Sequence, residues 1–220
     1  MHGHKLVADG IFGPATEAGV KAFQSKSGIR ASGKVDRTTY MAFVSPMLRV
    51  LEPITHNGTL TDAVAKLARK HLAEHPREIG GQNRGPWVRL YMDGNEGNAW
   101  PWCAGFVTFI LKQACELTGK PMPIAGSFSC DVLAMQAKQK GRFCRENDID
   151  DHVRNTGGAP AIFLVRRTST DWTHTGFAMS FGREVMDTLE GNTNDEGSRE
   201  GYEVCERIRS FSSKDLIVLG

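Results

Sequence analysis

The spacing of apolar residues differs between the first and last parts of the chain. Up to residue 140, apolar residues recur at steps of three and four, which is typical of amphipathic helices. After Pro160, short apolar runs and alternating positions predict strands. We expect these strands at residues 161–165, 175–181, 184–189, 202–208 and 216–219. Helices followed by a series of short strands predict an α+β fold, in which the helices pack against one face of a small antiparallel sheet.

Two short turn-plus-helix repeats form the beginning of the chain. In the first, an Asp-Gly turn precedes Pro14, and proline is suited to the first position of a helix. In the second, Asp36 is a natural N-cap for another helix. We therefore predict a small all-α module over residues 1–50. The stretch 51–59 contains proline and glycine and is interpreted as a linker, and a second domain is expected over 60–220.

A buried helix is predicted to begin at Cys103. Pro101 lies just before it, and apolar residues follow on one helical face at Phe106, Val107 and Ile110. The first residue of a helix is close to unpaired backbone N–H groups and to the positive end of the helix dipole. Such a position lowers the pKa of a thiol and favours the nucleophilic thiolate. The alternative interpretation is a small buried hydrophobic side chain, so a nucleophilic role requires a histidine partner elsewhere in the chain.

His174 is the candidate partner. It lies where the chain enters the predicted strand 175–181, and the end of a strand is a rigid and exposed place for a catalytic base. If a hairpin about Gly182 joins that strand to the next, Glu190 and Asn192 return beside His174. A carboxylate or an amide there can accept a hydrogen bond from the imidazole and fix its tautomer. The chain would then hold a nucleophile, a base and an orienting group.

The first repeat carries a resemblance to a known module. Residues 8–24 read ADGIFGPATEAGVKAFQ, which resembles the helical peptidoglycan-binding module found on many cell-wall hydrolases. Such modules usually have a further helix before the Asp-Gly turn, so we expect a reduced form of the module here. The resemblance implies bacterial peptidoglycan as the partner. The alternative is a docking subdomain that no longer binds glycan.

Four motifs resemble the CHAP amidase/peptidase family, a branch of the papain-like cysteine hydrolases close to the NlpC-type wall peptidases. They are NRGP at 83–86, PWCAGFV at 101–107, HTGF at 174–177 and EGNTN at 190–194. The resemblance implies a papain-like CHAP fold for the second domain, with Cys103 as nucleophile and His174 as base. It also implies that Glu190 orients the imidazole, that Asn192 supports the pair and that no cofactor is required.

Trp102 departs from the family pattern, because many CHAP members have glutamine directly before the cysteine. The side-chain donor of the oxyanion hole is therefore unassigned, with Gln82 and Asn83 as candidates beside the backbone N–H of Cys103. Trp100 and Trp102 flank the nucleophile, so either could line a groove for a peptide stem. We take Trp100, Trp102 and Asn83 as candidate substrate-binding residues.

Composition and charge narrow the choice of partners and cofactors. The formal net charge of +2 gives no electrostatic case for nucleic acid or a membrane surface, and no apolar run is long enough to predict a membrane span. The cysteines form no Cys-x-x-Cys pair, so neither a disulfide framework nor a zinc ribbon is expected, and only Cys103 is given a catalytic role. No metal is expected. Asp93 and Asn95 could hold Ca²⁺, but a plain turn is favoured, and His71 and His75 are interpreted as the solvated end of a helix.

The predicted function is that of a peptidoglycan hydrolase. It would cleave an amide bond, either as an N-acetylmuramoyl-L-alanine amidase or as a stem or cross-bridge endopeptidase. The first five residues lack the apolar core of a signal peptide, so we expect synthesis in the cytoplasm and release by another protein, as for a phage endolysin. A monomer is assumed. Two other hypotheses are a non-catalytic wall-binding protein on a hydrolase scaffold and a papain-like deamidase that acts on proteins.

Overall fold

The computed structural model describes Leu6 and residues 9–149, 158–194 and 201–220. The chain divides into two compact units, residues 1–52 and 53–220, called here the N-terminal unit and the C-terminal unit. The first five residues, on which the expectation about a signal peptide depends, lie outside the described residues. In the described part of the chain, none of the helices combines the length and the apolar character needed to cross a membrane.

Within its described residues, the N-terminal unit contains two helices, α1 (Pro14–Lys26) and α2 (Arg37–Leu51). As predicted, Pro14 is the first residue of α1. The Asp36 carboxylate accepts a hydrogen bond from the backbone N–H of Thr39 at 2.8 Å, which confirms the predicted N-cap of α2. Both helices therefore begin where local sequence signals indicate.

A buried glutamine organises the connection between α1 and α2. The Gln24 side chain has no exposed surface. Its amide nitrogen donates to the Lys34 carbonyl and to the Thr39 hydroxyl, both at 2.9 Å, and its Oε1 accepts from the backbone N–H of Gly33 at 2.8 Å. A unit of this size can bury little apolar surface. Its centre is therefore stabilised in part by this hydrogen-bonded side chain.

In the C-terminal unit, helices precede one antiparallel sheet. The helices are α3 (Leu60–Ala73), α4 (Pro86–Tyr91), α5 (Cys103–Thr118) and α6 (Cys130–Gln139), and a 3₁₀ turn follows at Glu146–Asp148. The strands are β1 (Phe143–Cys144), β2 (Ala161–Thr168), β3 (Asp171–Phe181), β4 (Val185–Thr193), β5 (Glu203–Ser210) and β6 (Lys214–Ile217). Their order in the sheet is β1-β6-β2-β3-β4-β5. The predicted α+β class is confirmed, and the finer assignment to a papain-like CHAP fold stays a prediction.

Strands β3 and β4 are longer than the sequence pattern predicted. A tight turn after β2 starts β3 at Asp171, so His174 lies within the strand and not at its end. A register shift after Glu190 lets β4 continue to Thr193, so Glu190 and Asn192 also lie within a strand. The predicted strand ends are thus corrected. The pattern missed them because these extensions carry polar residues.

Both faces of the sheet are covered. Phe106 of α5 meets Phe177 of β3 with ring centroids 6.2 Å apart, so α5 packs on one face as expected. Successive side chains of a strand point to opposite faces, so Ala178 points away from α5. There it joins a second buried cluster, whose other members are Ile149, Phe163, Met186, Phe211 and Leu216. The sheet is therefore enclosed between α5 and residues of the strands and their connections.

Two glycines allow α5 to approach its neighbours closely. A Cβ atom at Gly105 would lie 2.6 Å from the carbonyl oxygen of Tyr91 in α4. A Cβ atom at Gly191 in β4 would lie 2.7 Å from the Cβ of Phe106 and 2.9 Å from the ring of Trp102. Carbon atoms cannot approach other atoms so closely in a packed interior. The position of α5 therefore depends on two sites that only hydrogen can fill.

His71 is buried in α3, which corrects the prediction of a solvated helix end, whereas His75 is exposed. The Nδ1 of His71 lies 2.9 Å from the Tyr91 hydroxyl, and its Nε2 lies 2.9 Å from the Oε1 of Gln113. Burial lowers the pKa of His71 from 6.5 to about 4. The imidazole is therefore neutral near pH 7. It packs among the rings of Trp87, Tyr91, Phe106 and Phe109.

We expect the C-terminal unit to lose stability as the pH falls from 6.5 to 4. The unfolded chain binds a proton on His71 at its ordinary pKa of 6.5, whereas the folded protein binds it only near 4. This difference corresponds to a loss of about 3 kcal/mol in the free energy of unfolding. Urea unfolding at several pH values, followed by tryptophan fluorescence, measures the loss, because all four tryptophans lie in the C-terminal unit.

The variant His71→Gln removes this titration and should show a flatter pH dependence, although the loss of ring packing lowers its stability near pH 7. His75→Gln is the matched control and should retain the pH dependence of the wild type, since His75 is exposed. Equal pH dependence in the wild type and in His71→Gln would contradict the assignment.

Candidate active site

Cys103 is the first residue of α5, as predicted. The residue retains an exposed fraction of 4%. The backbone N–H groups of the first turn and the positive end of a 16-residue helix face this position. These dipoles stabilise a thiolate relative to a thiol.

The imidazole of His174 lies beside the side chain of Cys103, and hydrogen bonding between them lowers the pKa of the thiol and raises the pKa of the imidazole. Within the described residues, β3 pairs with β4 only from Phe177 onward, so the strand is open to α5 before that point. The backbone N–H of Thr175 lies in this opening and donates a hydrogen bond to the sulfur of Cys103. The break in strand pairing thus brings an imidazole and a backbone donor to the same sulfur atom.

Glu190 determines the orientation of the His174 ring. Its Oε2 lies 2.8 Å from the Nε2 of His174. Because Nε2 is engaged with the carboxylate, Nδ1 is the ring nitrogen left to interact with Cys103. The hairpin between β3 and β4 thus brings Glu190 beside His174, at the position expected for an orienting group.

Arg209 of β5 neutralises the carboxylate of Glu190, whose side chain is fully buried. Its Nε donates to Oε1 at 2.5 Å, and its Nη2 donates to Oε2 at 2.6 Å. The Thr188 hydroxyl donates to Oε1 as well, at 2.5 Å. A buried carboxylate is costly unless it is paired and hydrogen-bonded. With two partners on each oxygen once His174 is included, Glu190 can remain ionised.

These contacts shift the pKa values of the site toward an ion pair. Burial would raise the pKa of Glu190, but hydrogen bonds from Arg209 and His174 lower it from 4.5 to about 2. Burial would lower the pKa of His174, but hydrogen bonds with Cys103 and Glu190 raise it from 6.5 to about 9. Hydrogen bonds from Cys130 and then from His174 outweigh burial and hold the pKa of Cys103 well below 9.0. A thiolate next to an imidazolium is therefore favoured.

A second cysteine, Cys130, lies at the site. It is the first residue of α6, and its Sγ is 4.0 Å from the Sγ of Cys103. The hydrogen bond to Cys103 and burial raise the pKa of Cys130 well above 9.0. Cys130 therefore retains its proton and donates its S–H to the Cys103 thiolate. Two helix N-termini meet at this pair of sulfur atoms.

Asn192 has a different environment from Glu190, although only one residue separates them. Its backbone φ is 56°, and it lies in the register shift between Glu190 and Thr193. Its side chain is buried, and its Oδ1 has no hydrogen-bond partner among the described residues. The predicted support of the Cys103–His174 pair by Asn192 therefore stays a prediction.

The two tryptophans that precede Cys103, Trp100 and Trp102, differ in exposure. Trp102 is fully buried, stacks on Tyr91 with ring centroids 5.6 Å apart, and donates from Nε1 to the Oε1 of Glu78 at 2.9 Å. It has no exposed surface for a substrate, so its predicted place in a groove is corrected to a packing role. Trp100 is partly exposed and packs edge to face on Phe128, with ring centroids 6.2 Å apart. Trp100 thus remains a candidate substrate-binding residue.

Asn83 lies in a tight loop before α4. Its backbone φ is 52°, and its carbonyl accepts from the backbone N–H of Gly97 at 2.6 Å. The side chain is buried, and its Oδ1 and Nδ2 make no hydrogen bond within the described ranges. Its predicted part in substrate binding or in an oxyanion hole therefore stays a prediction.

In the loop 93–98, considered for Ca²⁺, the carboxylate of Glu96 is already engaged by protein groups. Glu96 accepts from the backbone N–H of Gly85 at 2.9 Å and forms ion pairs with Arg89 at 2.6 Å and Arg84 at 3.9 Å. In the part of the chain that the structure describes, no three or more His, Cys, Asp or Glu residues form a group that could hold a metal ion. The expectation that no cofactor is required stays a prediction.

Three contributors to the site were not predicted from the sequence. Arg209 lies opposite Met186 in the register of β4 with β5, and its long side chain reaches along the sheet to Glu190, a contact that no sequence pattern indicates. Cys130 begins a helix after a loop rich in proline, glycine and serine, and this change of composition could have indicated a second cysteine at a helix N-terminus. Thr175 contributes through its backbone, and a backbone donor has no signature in the sequence.

Replacing Glu190 by Gln is expected to lower the pKa of His174. The carboxylate stabilises the imidazolium and helps raise its pKa to about 9. An imidazolium exists below its pKa and is lost as the pH rises through it, so the variant should lose this proton at a lower pH than the wild type. Ring-nitrogen chemical shifts of ¹⁵N-labelled histidine measure both midpoints, and we expect a decrease of about one pH unit or more.

The matched control is Glu184→Gln, because Glu184 is exposed at the turn between β3 and β4. It should leave the His174 midpoint unchanged, and His174→Gln identifies the resonance. An unaltered midpoint in Glu190→Gln would show that the carboxylate does not govern the protonation of the imidazole.

Comparison with known protein families matches residues 2–43 to the peptidoglycan binding domain family. The matched range contains α1 and the first part of α2. It confirms the predicted resemblance of this region and associates the protein with the bacterial cell wall through an N-terminal peptidoglycan-binding module. No curated protein and no solved structure matches the chain.

Proposed function

We propose that the protein is a peptidoglycan hydrolase that cleaves an amide bond of the cell wall with Cys103 as its nucleophile. The observation that carries the proposal is the meeting of Cys103, His174 and Glu190, in which a sulfur atom at a helix N-terminus faces an imidazole oriented by a buried carboxylate. Thiol-dependent hydrolysis requires such a nucleophile, base and orienting group. The peptidoglycan-binding module supports the cell wall as the location of the substrate.

In the first half of the reaction, the Cys103 thiolate attacks the carbonyl carbon of the amide. The carbon–oxygen π electrons move to oxygen and form a tetrahedral oxyanion, toward which the backbone N–H of Cys103 can donate. As the intermediate collapses, Nδ1 of the His174 imidazolium gives its proton to the leaving nitrogen, and the carbon–nitrogen bond breaks. The products of this half are a free amine and a thioester on Cys103.

In the second half, the neutral imidazole of His174 takes a proton from a water molecule, which attacks the thioester carbonyl. The carbon–sulfur bond breaks, a carboxylic acid leaves, and the thiolate–imidazolium pair is restored. Glu190 stays ionised throughout, because Arg209 and Thr188 continue to donate hydrogen bonds to its oxygens. Its role is to hold Nε2 of His174 and to stabilise the positive charge on the ring.

Two amide bonds of peptidoglycan fit this mechanism equally well. One joins N-acetylmuramic acid to L-alanine, and the other lies within the stem or cross-bridge peptide. We also propose a CHAP-type, papain-like assignment for the C-terminal unit, which rests on the motifs around Cys103, His174 and Glu190. The partly exposed ring of Trp100 is the candidate contact for the peptide near the nucleophile.

The experiment compares the wild type with Cys103→Ala on a suspension of purified bacterial cell walls. We expect the wild type to reduce the turbidity and the variant to lose at least about 10³-fold of this activity, because only the sulfur forms the covalent intermediate. Mass spectrometry of the released fragments then identifies the new amine end. A free amine on L-alanine indicates the amidase, and a new amine within the peptide indicates the endopeptidase.

The matched control is Cys205→Ala, which removes a thiol from β5 and should clear the walls as the wild type does. Equal clearing by the wild type and by Cys103→Ala would overturn the thiol mechanism. Binding of both proteins to the walls without any clearing would favour a non-catalytic wall-binding protein. Deamidation of a protein substrate by a wild type that leaves the walls intact would favour the deamidase.

A further inference from the structure

Cys103 and Cys130 form a dithiol pair built into the candidate site. Their sulfur atoms are 4.0 Å apart, and each residue is the first of a helix, α5 and α6 respectively. A disulfide bond has a sulfur–sulfur distance of about 2 Å. The two sulfurs therefore need to approach by about 2 Å to bond, which is a small movement for side chains at helix ends.

Local contacts hold α6 in this place. The Asp131 carboxylate, next to Cys130, accepts from the backbone N–H of Trp172 in β3 at 2.7 Å. The connection between α5 and α6 is fixed by Thr108 of α5, which donates to the Ser127 carbonyl at 2.8 Å and accepts from its N–H at 3.0 Å. The proximity of the two thiols is therefore a stable property of the fold and not an accident of loose loops.

We propose that Cys103 and Cys130 are a reversible redox pair, in which a hydroperoxide oxidises Cys103 and Cys130 resolves the product as a disulfide. The site thereby accepts a second class of small-molecule reactant in addition to the amide substrate. The inactivation of the enzyme by this step rests on the proposed function, because it is the nucleophile that becomes blocked. The formation of the disulfide does not rest on it.

The reaction balances in two steps. In the first, the Cys103 thiolate attacks one oxygen of the hydroperoxide, the oxygen–oxygen bond breaks, and Cys103 becomes a sulfenic acid while an alkoxide or hydroxide leaves. In the second, the Cys130 sulfur attacks the sulfenic sulfur and loses its proton, and the sulfenic hydroxyl departs with that proton as water. The two cysteines together lose two electrons, and the peroxide gains them. An added dithiol reverses the disulfide by exchange.

Electrostatics assigns the two roles within the pair. Thr175 and His174 stabilise negative charge on Cys103, so Cys103 is the sulfur that reacts with the peroxide. The charge of the Cys103 thiolate is one reason why Cys130 holds its proton. Once Cys103 is a neutral sulfenic acid, that charge is gone and Cys130 loses its proton more readily. The first step thus activates the residue that performs the second.

The test treats the full-length wild type with hydrogen peroxide and measures its intact mass and its peptide map. We expect a mass lower by two hydrogen atoms, a linked peptide containing Cys103 and Cys130, and a loss of wall clearing of at least about tenfold. Dithiothreitol should restore both the mass and the activity. A sulfinic acid on Cys103 with an unmodified Cys130 in the treated wild type would overturn the proposal.

The variant Cys130→Ala removes the resolving thiol. Under the same treatment it should trap the sulfenic acid, which a 1,3-diketone probe labels, and then gain two or three oxygen atoms on Cys103 that dithiothreitol does not remove. Cys130→Ser serves as a second variant with nearly the same volume, should the alanine variant fold poorly. Cys205→Ala is the matched control and should form the disulfide as the wild type does.

The outcomes separate this proposal from the proposed function. If the disulfide forms but the reduced wild type does not clear cell walls, the redox pair stands and the hydrolase proposal fails. If the walls are cleared by a Cys103-dependent activity but peroxide leaves no linked peptide, the hydrolase proposal stands and the redox pair is wrong. Reversible protection of Cys103 in Cys130→Ala would equally overturn the resolving role of Cys130.

Discussion

The ion pair between Glu190 and Arg209 is the interaction on which the candidate site depends. A carboxylate with no exposed surface would normally be protonated, and a protonated Glu190 could not stabilise an imidazolium. The bidentate contact from Arg209 keeps Glu190 charged, and the imidazole of His174 forms a hydrogen bond with the same carboxylate. The negative charge of Cys103 is favoured in turn by the positive ring beside it. The series of charged groups therefore begins with Arg209 in β5 and continues through Glu190 and His174 to Cys103.

The sheet and the helix contribute different parts of this arrangement. Strands β3, β4 and β5 supply His174, Glu190 and Arg209, whose side chains contact one another, and the early end of the β3–β4 pairing leaves room for the start of α5. The helix contributes the sulfur and its own dipole. Because α6 begins at the same place, a second thiol shares the environment of the first. The proposed redox pair and the proposed nucleophile thus have the same structural origin.

Much of this could be read from the sequence where local signals act. The caps of α1 and α2, the start of α5 and the hairpin that returns Glu190 to His174 follow from proline, aspartate and glycine at specific positions. What escaped prediction depends on tertiary contacts. His71 lies on the apolar face of α3, but a polar histidine at this position was expected at the surface. The burial of Trp102 follows from the packing of α4 against α5. The contact of Arg209 with Glu190 could not be predicted, because Arg209 lies opposite Met186 in β4 and only its long side chain reaches the carboxylate.

The contacts at Gly105 and Gly191 imply that a small displacement of α5 would affect the stability of the fold and the proposed reaction to different extents. A fold absorbs a shift of a few tenths of an ångström in a helix by small adjustments of its neighbours. A reacting sulfur atom is more sensitive to its position, since a displacement of about 1 Å from the carbon that it attacks can lower the rate by about two orders of magnitude. The absence of side chains at Gly105 and Gly191 therefore fixes the position of α5 and, with it, the position of Cys103. The packing around these two glycines determines how accurately Cys103 is placed. The proposed reaction requires greater accuracy in this packing than the stability of the C-terminal unit does.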